Sequence, residues 1–216
     1  MPILPFTLNG RETTVDYDEG MRLLAVLRDI CGVTSPKDGC APEGVCGCCT
    51  VLLDGRPALS CLTDPQKAAG REVVTLEGLP ERQRQLLAEA FVREGAVQCG
   101  FCTPGIAVRA AHLLEKQPNP DRGRIERALA GHICRCTGYN RIVDAIRTAG
   151  KFWSDHGTDD TSDPPANDPG VGGVGTSTPR YRGREQALGA KNFVADLEAE
   201  GMLHGALVLA EHPRAR

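Results

Sequence analysis

Apolar positions along the first third of the chain follow two periods. Pro2 to Leu8 and Thr13-Thr-Val-Asp16 are short alternating runs on either side of Asn9-Gly10. That dipeptide accepts the positive φ values of a two-residue turn, so the pattern predicts a β-hairpin. From Met21 to Cys31 the period lengthens: Leu23, Leu24, Leu27 and Ile30 share one face, and Gly32 and Pro36 close the run. This predicts an amphipathic helix. Gly39 to Cys49 has neither period and is rich in Gly and Cys, which reads as a loop held by something other than a core. Thr50-Val-Leu-Leu-Asp-Gly55 then reads as strand and turn, and Ala58 to Leu62 as the returning strand.

From Gly78 to Trp153 the period is helical. Arg82 to Glu94 places Leu86, Leu87, Ala90 and Phe91 on one face, and Pro104 to Lys116 does the same with Ile106, Ala110, Leu113 and Leu114. Thr103 reads as the N-cap of the latter, with Pro104 at the first helical position. Arg122 to Gly131 and Asn140 to Trp153 complete four helices. The expected class is α+β: a sheet with a crossing helix over 1–77, then a helical unit over 78–153. Residues 154–179 hold five aspartates, four prolines and five glycines without a Lys or Arg, the composition of a linker. The tail, 180–216, has one expected strand at Leu203 to Ala210 and is too short for a core of its own, so it is expected to dock on something else.

Composition narrows the function classes. A net charge of -3 gives no electrostatic case for nucleic acid. No run approaches the ~18 apolar residues of a membrane span, and Met1-Pro-Ile-Leu-Pro5 lacks the features of a secretory signal, so the expected compartment is the cytoplasm. Against this ordinary background stand ten grouped cysteines.

Cys40, Cys46, Cys48 and Cys49 share one loop and Cys61 follows. The plant-type 2Fe-2S signature is C-x4-C-x2-C with a distant fourth cysteine. Cys46-Gly-Cys-Cys49 supplies the x2 pair, with one extra residue between Cys40 and Cys46. Gly39, Gly44 and Gly47 allow backbone amides to approach sulfur. The second group, Cys99-Gly-Phe-Cys102 and Cys134-Arg-Cys136, offers two short-spaced pairs near helix starts. Zinc is the competing metal, although Cys134-x-Cys136 is tighter than its usual pairs; a disulfide framework would need an oxidising compartment. Cys31 reads as a buried free thiol. Cys48 competes with Cys49 as third ligand, and Cys49 keeps the x2 spacing.

Three separated motifs, Lys37-Asp-Gly-Cys-Ala-Pro-Glu-Gly-Val-Cys-Gly-Cys-Cys-Thr-Val-Leu-Leu-Asp-Gly55, Val97-Gln-Cys-Gly-Phe-Cys-Thr-Pro-Gly105 and Ile133-Cys-Arg-Cys-Thr-Gly-Tyr139, resemble the iron-sulfur subunit of the xanthine dehydrogenase/aldehyde oxidase family of molybdenum hydroxylases. The resemblance covers about residues 1 to 153. It implies a β-grasp, ferredoxin-like domain followed by a four-helix bundle, each with one 2Fe-2S cluster. Cys40, Cys46, Cys49 and Cys61 would hold the first, and Cys99, Cys102, Cys134 and Cys136 the second. Gln98 would face the pterin of a molybdenum cofactor on a partner chain, with Cys136 approaching it too. The implied activity is one-electron relay from that molybdenum centre, which hydroxylates a purine or related N-heterocycle, to FAD or another acceptor. The implied partners are a molybdopterin-binding large subunit and an FAD subunit. Thr178-Pro-Arg-Tyr-Arg-Gly183 and Gly201 to Arg216 resemble the opening of that large subunit, so the tail is expected to complete the fold of another chain or of a longer parent.

Other signals carry less. Gly170-Val-Gly-Gly-Val-Gly175 matches a dinucleotide fingerprint but lacks the flanking strand and helix. His132 could donate to a cluster sulfur, against ordinary packing. Two further classes, a stand-alone ferredoxin-like carrier and a zinc-stabilised interaction module, fit the cysteines alone.

Overall fold

The computed structural model describes residues 1–153, 178–197, 199–203, 205–209 and 212. The hairpin forms as the alternation predicts: β1, Ile3–Leu8, pairs antiparallel with β2, Arg11–Asp16. Asn9 and Gly10 both take positive φ (51° and 78°) in the turn. Leu4, Phe6 and Leu8 point into the core, while Ile3 lies on the open face.

The crossing helix is shorter than predicted and changes pitch. A turn of α-helix, α1, Leu23–Ala25, continues as a π-helix over Val26–Ile30. The wider turn rotates the face: Val26 is buried with Leu23, Leu24 and Leu27, and Ile30 is 38% exposed. Arg28, at its centre, donates to the carbonyls of Thr34 and Pro36.

Strands β3, Thr50–Leu53, and β4, Arg56–Leu59, form a second hairpin around Asp54 and Gly55, the returning strand starting two residues earlier than expected. A fifth strand, β5, Glu72–Val74, was not legible in the sequence. Three residues are too few to show a period. It runs parallel to β1 and antiparallel to β3, which places it at the centre of a sheet ordered β2-β1-β5-β3-β4. The α+β class therefore holds, with a five-stranded mixed sheet.

Four helices follow: α2, Glu81–Arg93; α3, Thr103–Lys116; α4, Arg122–Ala128; and α5, Asn140–Trp153. Thr103 is the first residue of α3 and not its cap. Cys102 holds the cap position without a side-chain bond. The helical core of Phe91, Ile106, Leu114, Ile125, Ile142 and Ile146 extends to Cys46 and Cys48, so the first cysteine loop is packed into the second domain. None of the described helices is long and apolar enough to cross a membrane.

The tail folds back. A short helix, α6, Gly183–Ala187, rests against α2 and α3, and a 3₁₀ turn at Val194–Asp196 reaches the crossing helix. The parts of the tail at Gly183–Ala187 and Val194–Asp196 thus dock within this chain. The strand expected at Leu203 to Ala210 is absent among its described residues, and Leu203, Leu207, Val208 and Leu209 are exposed. The expected linker lies outside the described residues except for 178 and 179, as does the Gly170 to Gly175 motif.

Candidate metal centres

The loop carrying Cys40, Cys46, Cys48 and Cys49 is shaped by its glycines. Ala41 and Gly44 take positive φ (47° and 73°), absorbing the extra residue between Cys40 and Cys46, and Glu43 N–H closes a turn on the Cys40 carbonyl at 3.1 Å. A Cβ on Gly44 would lie 2.3 Å from Leu62 Cδ1. At Gly39 a Cβ would lie 3.0 Å from Cys46 Sγ, 3.2 Å from Cys48 Sγ and 3.3 Å from Phe101 Cε1, so only glycine leaves the sulfurs this space.

Cys40, Cys46, Cys49 and Cys61 gather in the first domain. Burial pushes the Cys61 thiol up to about 12, and the neighbouring sulfurs of Cys49, Cys40 and Cys46 add to it. Burial acts the same way on Cys40, but amides of Val45, Cys46 and Gly44 donate to its sulfur and hold the thiol below its ordinary value. Amides aimed at sulfur and crowded thiols that resist ionising together are the environment in which metal replaces protons.

The second group closes in the helical domain. Cys136 Sγ lies 3.6 Å from Cys99 Sγ. Burial raises the Cys102 thiol, reinforced by Cys134. Cys134 is lowered overall: burial opposes, while Thr137 Oγ1 at 3.1 Å and the amides of Cys136 and Thr137 favour thiolate. Cys99 and Cys136 are exposed, whereas Cys102 is buried. Gln98 is exposed beside them and donates its Nε2 to the Cys136 carbonyl at 3.2 Å. Among the described residues no three His, Cys, Asp or Glu side chains close around a single ion. The first loop, with Cys61, instead gathers five thiols, Cys48 among them, and the second group four; four thiolates are the donor set that two bridged irons accept.

The two groups are adjacent. Ile133 N–H donates to the Cys46 carbonyl at 2.9 Å, joining the first loop to the residue before Cys134. A Cβ on Gly105 would lie 2.4 Å from the Gly47 carbonyl oxygen, so a glycine is needed where α3 meets the loop. Cys48 is buried here, near Cys46 and Cys49 of the first group and Cys102 of the second; burial raises its thiol first, then these sulfurs. His132 approaches no sulfur by hydrogen bond. Its Nε2 is 3.2 Å from Thr50 Oγ1, and burial pulls its pKa down to about 4. Cys31 is a half-buried thiol away from both groups.

Sequence reasoning missed the strap of residues 180–197 over this region. Asp196 lies 2.6 Å from both Arg28 Nη2 and Lys37 Nζ. Despite burial, Lys37, the Phe193 amide and Arg28 hold its carboxyl down at about 2. Phe193 stands edge-on to Phe101, centroids 5.2 Å apart, with Lys37 Nζ 5.0 Å from its ring centroid. Gln186, buried, donates to the Cys99 carbonyl at 3.4 Å and accepts from Arg180 Nε at 2.8 Å. The strap thus touches both domains and the Cys99-Gly-Phe-Cys102 turn. Its partners are too far apart in sequence for any spacing rule to pair them.

Comparison with known proteins finds iron-sulfur domains over the same two stretches. Residues 9–87 match the 2Fe-2S iron-sulfur cluster binding domain, and residues 75–147 the [2Fe-2S] binding domain. The small FeS subunit of nicotinate dehydrogenase from Eubacterium barkeri is 43% identical over 143 residues, covering 66% of this chain and 90% of that one. The iron-sulfur-binding subunit of xanthine dehydrogenase from Escherichia coli is 41% identical over 143 residues, covering 65% and 89%. The crystal structure of the aldehyde oxidoreductase from Desulfovibrio desulfuricans superposes with a TM-score of 0.80 at 34% identity over 91% of this chain. The match spans 22% of that longer polypeptide.

Proposed function

The chain belongs to the small iron-sulfur subunits of the molybdenum hydroxylases, electron-transfer proteins with two 2Fe-2S binding domains in tandem, and on that footing we propose a role for each of its sulfurs. Cys40, Cys46, Cys49 and Cys61 hold one cluster, and Cys99, Cys102, Cys134 and Cys136 the other. A bound 2Fe-2S unit supplies uptake and release of one electron at a time. The chain supplies the thiolates, the amides that donate to them, burial, and the short connection from Cys134 through Ile133 N–H to the Cys46 carbonyl. The observation that carries this reading is the convergence of Cys49, Cys40 and Cys46 on Cys61 in one domain, and of Cys134 and Cys99 on Cys102 in the other.

The finer assignment follows the exposed edge. Cys99, Cys136 and Gln98 face outward, so the second group is the side that meets a large subunit carrying a molybdenum-pterin cofactor, with Gln98 against the pterin. The first group then serves FAD or another acceptor on a further partner. Relatives named for nicotinate and xanthine dehydrogenases favour an N-heterocycle as the substrate hydroxylated by the partner. The cytoplasm is our proposed compartment, and none of the described helices is long and apolar enough to cross a membrane. We divide the chain into a ferredoxin-like domain at 1–77, a helical domain at 78–153, a linker at 154–179 and, at 180–216, the opening of the large-subunit domain. The last is supported by the match to 91% of this chain within one longer polypeptide, and by the exposed run around Leu207 and Val208.

Iron, acid-labile sulfide and low-temperature EPR of the reduced protein test this. Each group of four thiols should hold two irons and two sulfides and give its own signal. Cys136→Ser should remove one signal and spare the other. Loss of both from a folded variant, or zinc without labile sulfide, would overturn the assignment.

A further inference from the structure

Away from the sulfurs, α3 and α4 face each other with basic side chains. Arg109, His112 and Lys116 fall on one face of α3, and Arg124 and Arg127 lie one turn apart on α4. With Leu113 and Ala128 they line a cleft of about 180 Å³. An adjoining cleft of about 250 Å³ shares Arg109, Arg127 and Ala128 and runs on past Gly131 and His132 to Gly44 and Thr50. Among the described residues no acidic side chain lines either.

Nothing among the described residues neutralises this face. Among the described residues no carboxylate is within ion-pair distance of Arg109, Lys116, Arg124 or Arg127. The acids of the same two helices are engaged elsewhere: Glu126 pairs with Arg122 at 2.7 Å, and Glu115 accepts from Gln83. Arg109 Nε donates to the Ala128 carbonyl at 3.0 Å, which fixes its guanidinium across the cleft. The terminal nitrogens of that group have no partner among the described residues. Burial and the Arg124 charge pull Arg109 down from its ordinary value, and burial with Lys116 and Arg109 does the same to His112. Like charges facing each other across a concave wall oppose folding, and an anion between them removes that opposition.

We propose that the α3–α4 cleft binds a phosphate-class oxyanion, either free phosphate or the phosphate of a nucleotide. Guanidinium forks match the paired oxygens of such a group. Arg109 is half-buried at the wall, where a small tetrahedral anion reaches it and a flat acidic surface does not. The assignment is independent of which cysteines hold iron.

Calorimetric titration of the iron-loaded full chain with inorganic phosphate, at constant ionic strength set with chloride, tests the site. Saturable binding is expected, weakened at least about tenfold by the double variant Arg124→Gln, Arg127→Gln. Both side chains are exposed, so the variant should keep the parent's circular dichroism and EPR spectra. A parallel titration with ADP separates the sources: tighter binding than phosphate points to a nucleotide and equal binding to free phosphate, and either supports the site. Absence of saturable phosphate binding, equal binding by the double variant, or binding of poly-glutamate without phosphate would overturn it.

Discussion

Replacing Asp196 with asparagine keeps the shape of the side chain and removes its charge. The carboxylate is 1% exposed, and it neutralises Arg28 and Lys37, which are 13% and 2% exposed. Without it the docked strap encloses a lysine ammonium facing the Phe193 ring and an uncharged amide. Arg28 retains the carbonyls of Thr34 and Pro36 and suffers less. Removing one partner of a buried pair costs about 3–5 kcal/mol, because the remaining charge stays out of water. Undocking returns both cations to solvent, so the cost falls on the docked state. At about 1.4 kcal/mol per tenfold, the undocked population should rise by roughly a hundred- to a few-thousand-fold. Hydrogen exchange at the Gln186 and Leu188 amides, which bond the Arg182 and Arg184 carbonyls within α6, reports this directly. In the Asp196→Asn protein these amides should exchange faster by that factor. Adding Lys37→Met should restore much of the protection, since an apolar group in place of a buried charge is close to neutral. Exchange within about threefold of the parent would refute the reasoning, because such protection would have to come from α6 packing alone.

Further outcomes follow from the same geometry. The Asp196 carboxyl is held at about 2, below its ordinary value of 3.8, so the stability it contributes is fully present above the ordinary value and lost as pH falls through about 2. Strap protection should therefore be flat between about pH 5 and 8; a decline across that range would assign the lock to another group. Gly105→Ala places a methyl 2.4 Å from the Gly47 carbonyl oxygen, where backbone meets backbone, and should lower unfolding stability by about 1–3 kcal/mol in a denaturant titration. Cys48→Ala should leave iron content and both EPR signals in place, whereas Cys49→Ala should lose the first; the reverse would make Cys48 the ligand. Gly44→Ala combines a positive φ with a clash on Leu62 and should impair iron loading of the first domain while sparing the second signal.

Features encoded within a few residues of one another were legible from the sequence alone. The Asn9-Gly10 turn, the helical stretches of the second domain, the tandem order of the two cysteine groups and the glycine-rich loop all rest on local period and local backbone freedom. The cysteine spacings identified the chemistry, and the resemblance they carried named the family. Tertiary structure decided what depends on pairing distant segments. It inserted β5 between β1 and β3, a strand whose three residues have no period and whose place is set by burial on both sides. It shifted the crossing helix into a π turn that exchanges Ile30 for Val26 in the core. It set Cys48 between the two sulfur groups and brought Asp196 to Lys37 across 159 positions. It also gathered on α3 and α4 a set of cations that read, along the chain, as ordinary exposed helix faces. Local propensity fixes what a segment can become; which distant partner buries its remaining face or charge is settled by exclusion of water, a property of the assembled fold.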